Sequence, residues 1–255
     1  MLPRVRAPMR RWRALLTIVL VLLGCRREPV SAGGAPSASG SASAPVAASA
    51  NVPVSGEEIR YLALGDSFTI GTGSPEEASF PSRLTERLRG RGRGVKLRNL
   101  GVNGYRTEEL LAREAPEIGR FKPTLVTLAI GANDLVSGAS LDHYRDQVRL
   151  IFKAIDAAGV PHGAVFVLPQ PDWSKSVAAD SFGDRQKIAA AIVGYNTALR
   201  EEATSWGAVW VDLWPLMAKQ AEQGMIANDG LHPSAPCYDA WAEALFGVLP
   251  AKVPD

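Results

Sequence analysis

Cysteine is nearly absent from this 255-residue chain: Cys25 and Cys237 are the only two, too few for a disulfide framework. Histidine is almost as rare, and three residues argue against a metal centre built from a histidine cluster. Neither sign of charge dominates, with 28 basic and 26 acidic residues and a formal charge of +2. Five arginines (Arg4, Arg6, Arg10, Arg11 and Arg13) lie in residues 1–24, which hold no acid; without them 23 basic residues face 26 acids, or −3. The basicity therefore belongs to the N-terminus, and the remainder carries no nucleic-acid footprint. No phosphate loop, no His-Glu-x-x-His and no Gly-x-Ser-x-Gly elbow occurs, and Gly71-Thr-Gly73 lacks the rest of a dinucleotide fingerprint. What remains, 46% apolar and 21% charged residues, has the balance of a folded chain rather than a disordered or fibrous one.

The N-terminus reads as an address. Behind the arginines comes an apolar run over residues 14–24. It is shorter than the roughly 20 residues of a bilayer-spanning helix and suits the core of a secretory signal peptide. Leu22-Leu23-Gly24-Cys25 ends it and resembles the lipobox of bacterial lipoproteins. That resemblance implies cleavage after Gly24 and a lipid on Cys25, anchoring the chain to a membrane of the bacterial cell envelope, on its periplasmic or extracellular side. The plain alternative is an ordinary signal peptide with an incidental cysteine. From 31 to 50, all residues but Val46 are Ala, Ser, Gly or Pro. Such a stretch has no apolar face to bury and is expected to be a disordered tether over 25–56, with a reach of about 30 Å. A single domain is expected over 57–255.

From residue 57 short apolar runs alternate with segments of helical period, the pattern of an α/β domain with a parallel sheet. Strands are expected at 59–64, 95–100, 124–130 (buried and central), 164–168 and 208–212. Helical faces are marked by Leu84 and Leu88 after Pro81, by an acid-rich start at Thr107, and by Leu141, Tyr144, Val148, Ile151, Phe152 and Ile155. Ile188, Ile192, Tyr195 and Leu199 mark another, and Tyr238, Trp241, Leu245 and Leu249 the last. There is no internal repeat.

The loops after these strands carry the chemistry. The first strand runs into Gly65-Asp66-Ser67, the second into Gly101-Val-Asn103-Gly104, the third into Gly131-Ala-Asn133-Asp134, and the last unit into Asp229-Gly-Leu-His232-Pro233. Open parallel sheets bind ligands outside the carboxyl ends of their strands, so these loops would converge on one crevice. A serine hydroxyl needs an adjacent base to become a nucleophile, which His232 would supply. Asp229 would accept the imidazole Nδ1–H, fix its tautomer and stabilise the imidazolium. Acyl transfer also needs donors aimed at the developing oxyanion, and Ser67 N–H, Gly104 N–H and the Asn133 amide offer three.

These four blocks, in this order, resemble the SGNH hydrolases, the GDSL esterase and lipase family. The resemblance covers nearly all of residues 57–250. It implies a three-layer α/β/α sandwich with a flavodoxin-like five-stranded parallel sheet. It also implies Ser67 as nucleophile, His232 as base, Asp229 as its orienter, and Ser67, Gly104 and Asn133 as the oxyanion hole, with no metal or other cofactor. The implied activity is hydrolysis of a small-molecule, lipid or glycan ester through an acyl-enzyme. Acyl transfer to an envelope polysaccharide, lysophospholipase activity and a non-catalytic binding lipoprotein are the competing readings. Pro169-Gln-Pro-Asp-Trp173 also looks like a loop of one extracellular branch of that family.

Other residues have plainer readings. Ser67 taken alone is a helix cap, and Asn133-Asp134 an Asx turn. Asp66 is expected to shape its turn and Gly101 to relieve the backbone. His143 is read as a solvated helical residue, His162 as a loop residue and Cys237 as a buried free thiol opening the last helix. Residues 87–93, rich in arginine, are read as a solvated helix end and turn. Trp173 either lines the substrate pocket or packs its own loop.

Overall fold

The computed structural model describes residue 56 and residues 58–249. The signal-peptide, lipidation and tether readings for residues 1–55, Cys25 included, lie outside the described residues. Five strands form one all-parallel sheet: β1 (Ile59–Gly65), β2 (Val95–Asn99), β3 (Leu125–Ala129), β4 (Val165–Val167) and β5 (Val209–Trp210), in spatial order β2-β1-β3-β4-β5. The helices among the described residues are α1 (Ser67–Ile70), α2 (Phe80–Gly90), α3 (Thr107–Arg113), α4 (Ala115–Phe121), α5 (Ala132–Ser137), α6 (Leu141–Ala157), α7 (Arg185–Trp206), α8 (Trp214–Glu222) and α9 (Ala235–Val248). None is long and apolar enough to cross a membrane.

Strand alternation divides the core into two layers. Tyr61 and Ala63 of β1 pack with Phe80 and Leu84 of α2, Met217 of α8, and Tyr238 and Trp241 of α9. Leu62 and Leu64 face the other way, onto Leu110 of α3, Ile118 of α4, Val148 and Ile151 of α6, and Leu199 of α7. Both faces of the sheet are thus covered, which explains why β3 is apolar at four of its five positions and buried throughout. The fifth, Thr127, is satisfied by a 3.0 Å hydrogen bond with the Tyr61 hydroxyl.

The ends of elements depart from the expected bounds. β4 and β5 keep only three and two residues of ladder, because β4 turns into the 169–173 loop and β5 is an edge strand. Leu141 is 41% exposed: it opens α6, ahead of the turns that bury Tyr144 and Val148. The arginine-rich stretch is not merely solvated. Arg87 bonds Asp239 and Glu243 of α9, Arg89 donates to the Val95 carbonyl, and Arg91 lies 3.6 Å over the Phe246 ring. His162 sits in a one-turn 3-10 helix, stacked on Trp206 and bonded to Asp156 at 2.7 Å.

The chain steps from β1 to β2 on one side and then returns to place β3 on the other. That reversal opens a crevice at the carboxyl ends of β1 and β3.

Candidate active site

Ser67 follows β1 by two residues and opens α1. The Asp66 carboxylate caps that short helix, its Oδ1 accepting the Phe68 N–H at 3.0 Å. Gly101 gives the relief expected of it, since a Cβ there would stand 2.6 Å from the Ile70 nitrogen. Thr72 Oγ1 bonds Asn103 Oδ1, tying the loop after α1 to the one that carries Gly104. From α9, the buried Tyr238 hydroxyl donates to the Thr72 carbonyl at 3.0 Å.

Asn133 lies in the first turn of α5, just past β3. Its Nδ2 donates to the Tyr105 carbonyl at 3.0 Å, which orients the amide and leaves its second N–H. The neighbouring Asp134 does more than close a local turn. It is buried and accepts both the Thr107 N–H (3.1 Å) and the Thr107 hydroxyl (2.5 Å), locking α5 to the start of α3. Among the described residues, neither the Ser67 N–H nor the Gly104 N–H is taken up by a protein acceptor.

Asp229 and His232 form a tight local unit. Asp229 Oδ1 accepts the N–H groups of Leu231 and His232, both at 2.9 Å, and Oδ2 lies 2.8 Å from His232 Nδ1. Desolvation works to raise the Asp229 pKa. The two N–H groups and the imidazole outweigh it and hold the carboxyl below its ordinary range. The His232 ring meets the Phe68 ring edge-on at 5.5 Å. The Ala227 N–H donates to the His232 carbonyl at 2.8 Å, closing the turn on itself.

These loops enclose a cleft of about 180 Å³. Ser67, Asn103, Gly104, Asn133 and His232 supply its polar wall, and Phe68, Val136, Trp173, Phe182 and Leu231 much of the apolar one. Ser67, Gly104, Asn133 and His232 therefore share one cavity, with Asp229 behind the imidazole. Ser67 Oγ and the His232 ring face the same space without a hydrogen bond between them, a spacing common before a substrate closes the site. Trp173 does both things proposed for it: it lines the cleft, and its indole N–H is spent on Gln170 Oε1 at 3.0 Å. His143 is exposed and bonds Glu108, and Cys237 is a buried free thiol; neither lines the cleft. No group of three His, Cys, Asp or Glu side chains among the described residues is placed to hold a metal ion.

Two features escaped the sequence reading. Gly73 packs directly against the Asp229–His232 turn: a Cβ there would stand 2.6 Å from Ala227 Cβ and 3.1 Å from His232 Cβ. Beneath the cleft lies a group of buried acids, Asp66, Glu114 and Asp134. Burial raises the Asp66 pKa to about 7, against the Phe68 hydrogen bond and with help from Asp134. Spacing signals neither feature, because both arise where separate loops meet.

Residues 63–240 match the GDSL-like Lipase/Acylhydrolase family. An arylesterase of Vibrio mimicus is 37% identical over 79 residues, which cover 31% of this chain and 40% of that protein. The chain thus spans well under half the length of that relative in the match. Among solved structures, TesA superposes with a TM-score of 0.60 at 22% identity, over 75% of this chain and 98% of its own. Axe2, an acetylxylan esterase from Geobacillus stearothermophilus, gives 0.61 at 17% identity, over 80% and 99%. At these identities the two structures speak for the fold.

Proposed function

The chain belongs to the GDSL-like lipase/acylhydrolase family, and on that premise we propose that it hydrolyses ester bonds through Ser67, His232 and Asp229. In this cycle His232 Nε2 takes the Ser67 proton as Oγ bonds to the ester carbonyl carbon. The carbonyl electron pair moves to oxygen, and that oxyanion is met by Ser67 N–H, Gly104 N–H and the free Asn133 N–H. The C–O bond to the alcohol breaks, and the leaving oxygen takes the proton from His232. Water then attacks the acyl-enzyme, losing its proton to His232, and the acid leaves as Ser67 is reprotonated.

The observation that carries this reading is the doubly anchored Asp229, which presents His232 to a cleft shared with Ser67, Gly104 and Asn133. The cleft's volume is below the roughly 300–1,000 Å³ of sites that enclose drug-sized ligands. A short acyl group fits it better than a lysophospholipid chain, and the Vibrio relative's name, arylesterase, is that of an enzyme for esters of phenols. The N-terminal readings belong to the same proposal: secretion by residues 1–24, lipidation of Cys25 and a tether over 25–56. They are supported by the arginine-led apolar run, by Leu-Leu-Gly-Cys and by the Ala/Ser/Gly/Pro composition. An enzyme so placed would meet esters of the cell envelope or its surroundings.

The test is turnover of p-nitrophenyl esters of increasing acyl length by the purified protein and by Ser67→Ala, with EDTA present. Activity on short acyl esters that vanishes in the variant is the expected result. Turnover that survives in Ser67→Ala refutes the mechanism. Turnover that appears only with an acceptor sugar favours acyl transfer over hydrolysis.

A further inference from the structure

Glu114 stands between α3 and α4 with its carboxyl turned inward, and the residue is 2% exposed. Acidic side chains are seldom buried so fully without a cation. Here the partner is a backbone amide: Oε2 accepts the Gly65 N–H at 2.9 Å, while Oε1 is buried without a described partner. Gly65 is the last residue of β1, two before Ser67. The Leu100 N–H donates to the Ala63 carbonyl and the Val102 N–H to the Gly65 carbonyl, so this edge of β1 looks toward β2. β2 ends at Asn99, and Glu114 supplies the acceptor that the ladder no longer offers. On its other side the strand end is crowded: a Cβ on Gly65 would lie 2.1 Å from the Ala129 carbonyl oxygen.

We propose that Glu114 is a positioning residue for the ester hydrolysis: its buried carboxyl, fixed on the Gly65 amide, holds the strand end from which Ser67 is presented. The proposal rests on Ser67 being the nucleophile. Burial pushes the Glu114 carboxyl up to about 9; the Gly65 N–H acts against that and the charge of Asp66 with it. Near pH 7 it is therefore the neutral acid, which satisfies the amide without adding charge. The groups around this region are Asp66 after β1, Asp134 in α5, Tyr144 in α6 and Tyr195 in α7. Arg106, ahead of α3, is the cation that acts on Asp134. Ionisation of Glu114 above about pH 9 strengthens its own bond to the Gly65 N–H but sets a second negative charge against Asp66, and that repulsion displaces the turn that leads to Ser67.

The experiment compares the purified full-length protein with Ser67→Ala, Glu114→Leu and Glu114→Gln. Hydrolysis of p-nitrophenyl acetate is followed across neutral to alkaline pH with the uncatalysed rate subtracted, and amide hydrogen exchange of residues 62–70 is read alongside. Glu114→Leu is expected to lower kcat about 10–100-fold at pH 7 and leave KM within about threefold, the scale of a misplacement near 1 Å. Glu114→Gln keeps an oxygen for Gly65 and cannot ionise. It should stay within about threefold of the parent at pH 7 and hold its activity where the parent declines. Exchange over 62–70 should speed up about tenfold or more in the leucine variant and stay near parental in the glutamine variant.

Parental kcat and exchange in Glu114→Leu overturn the proposal, as does a loss that glutamine fails to restore. A parental alkaline decline in Glu114→Gln overturns the neutral-acid part. Absence of Ser67-dependent turnover in the parent defeats the functional reading instead, and the exchange data then decide the Glu114 contact by themselves.

Discussion

Replacing Gly73 by alanine tests how the Asp229–His232 turn is held in place. Gly73 has φ +87°, and its added Cβ would stand 2.6 Å from Ala227 Cβ, 3.1 Å from His232 Cβ and 3.2 Å from Asp229 Oδ2. Carbon atoms pack best at about 3.5–4.0 Å, so roughly 1 Å must open between Gly73 and Ala227. The left-handed backbone adds about 1–2 kcal/mol for any residue with a Cβ. Which side gives way decides what is measured. Gly73 is tied in on its own side, with the Thr72 carbonyl held by Tyr238 and the Thr72 hydroxyl by Asn103. The 227–232 turn is half-exposed to exposed and held mainly by its own hydrogen bonds, so it moves as a unit and carries His232 with it.

A displacement of that size costs about 10²-fold in kcat, with little change in KM because Gly73 does not line the cleft. Gly224→Ala is the control. It has φ +64° and open space around the new Cβ, so it bears the backbone cost alone. Urea unfolding should show a loss of about 1–2 kcal/mol for Gly224→Ala with unchanged kcat. Gly73→Ala should lose somewhat more stability and most of its kcat. A Gly73→Ala protein with kcat within about twofold of the parent would refute the reasoning, because the turn would then not be positioned by this contact.

Asn133→Ala should reduce kcat by about 10²–10³-fold on short acyl esters with little effect on KM, the usual loss for one oxyanion donor; unchanged turnover removes Asn133 from the mechanism. Asp66 gives a stability prediction whose sign follows from burial. Its folded pKa, about 7, lies above the ordinary carboxylate value, so the folded state binds more protons than the unfolded chain between about pH 4 and 7. This contribution to stability is complete below the unfolded pKa and is lost as pH rises through the folded one. Asp66→Asn keeps an oxygen for the Phe68 N–H and removes the titration. The stability difference between the two proteins should therefore shift in the variant's favour by on the order of 4 kcal/mol from pH 4 to pH 8. Parallel pH–stability curves would rule out Asp66 as a buried acid of this kind.

How much could be read in advance depended on the range of the interaction. The strand cores and the faces of α6, α7 and α9 were legible because burial on a sheet or a helix repeats with a fixed period. Tyr144, Val148, Ile151 and Phe152 follow that period and are buried. Element ends were less legible: Leu141 keeps the period and is still exposed, because it opens α6. The arginines at 87–91 read as a solvated run because nothing local shows that Asp239, Glu243 and Phe246 of α9 lie alongside them.

Within the candidate site the same division holds. Asp229 and His232 are three residues apart, so a single turn brings carboxylate and imidazole together, and short-range geometry was enough to expect the pair. The four loops could be placed at one end of the sheet because every strand in a parallel sheet points the same way. Composition, period and local motifs thus determined the fold class and the polar residues of the cleft, since each of those depends on neighbours in the chain, whereas the apolar wall of Phe68, Val136, Phe182 and Leu231 came only with the tertiary structure. Tertiary packing alone decided the cleft's size, the support of His232 by Gly73 and the burial of Glu114 on an amide 49 residues away. Those depend on distances between segments that meet only once the sheet and its two helical layers have closed.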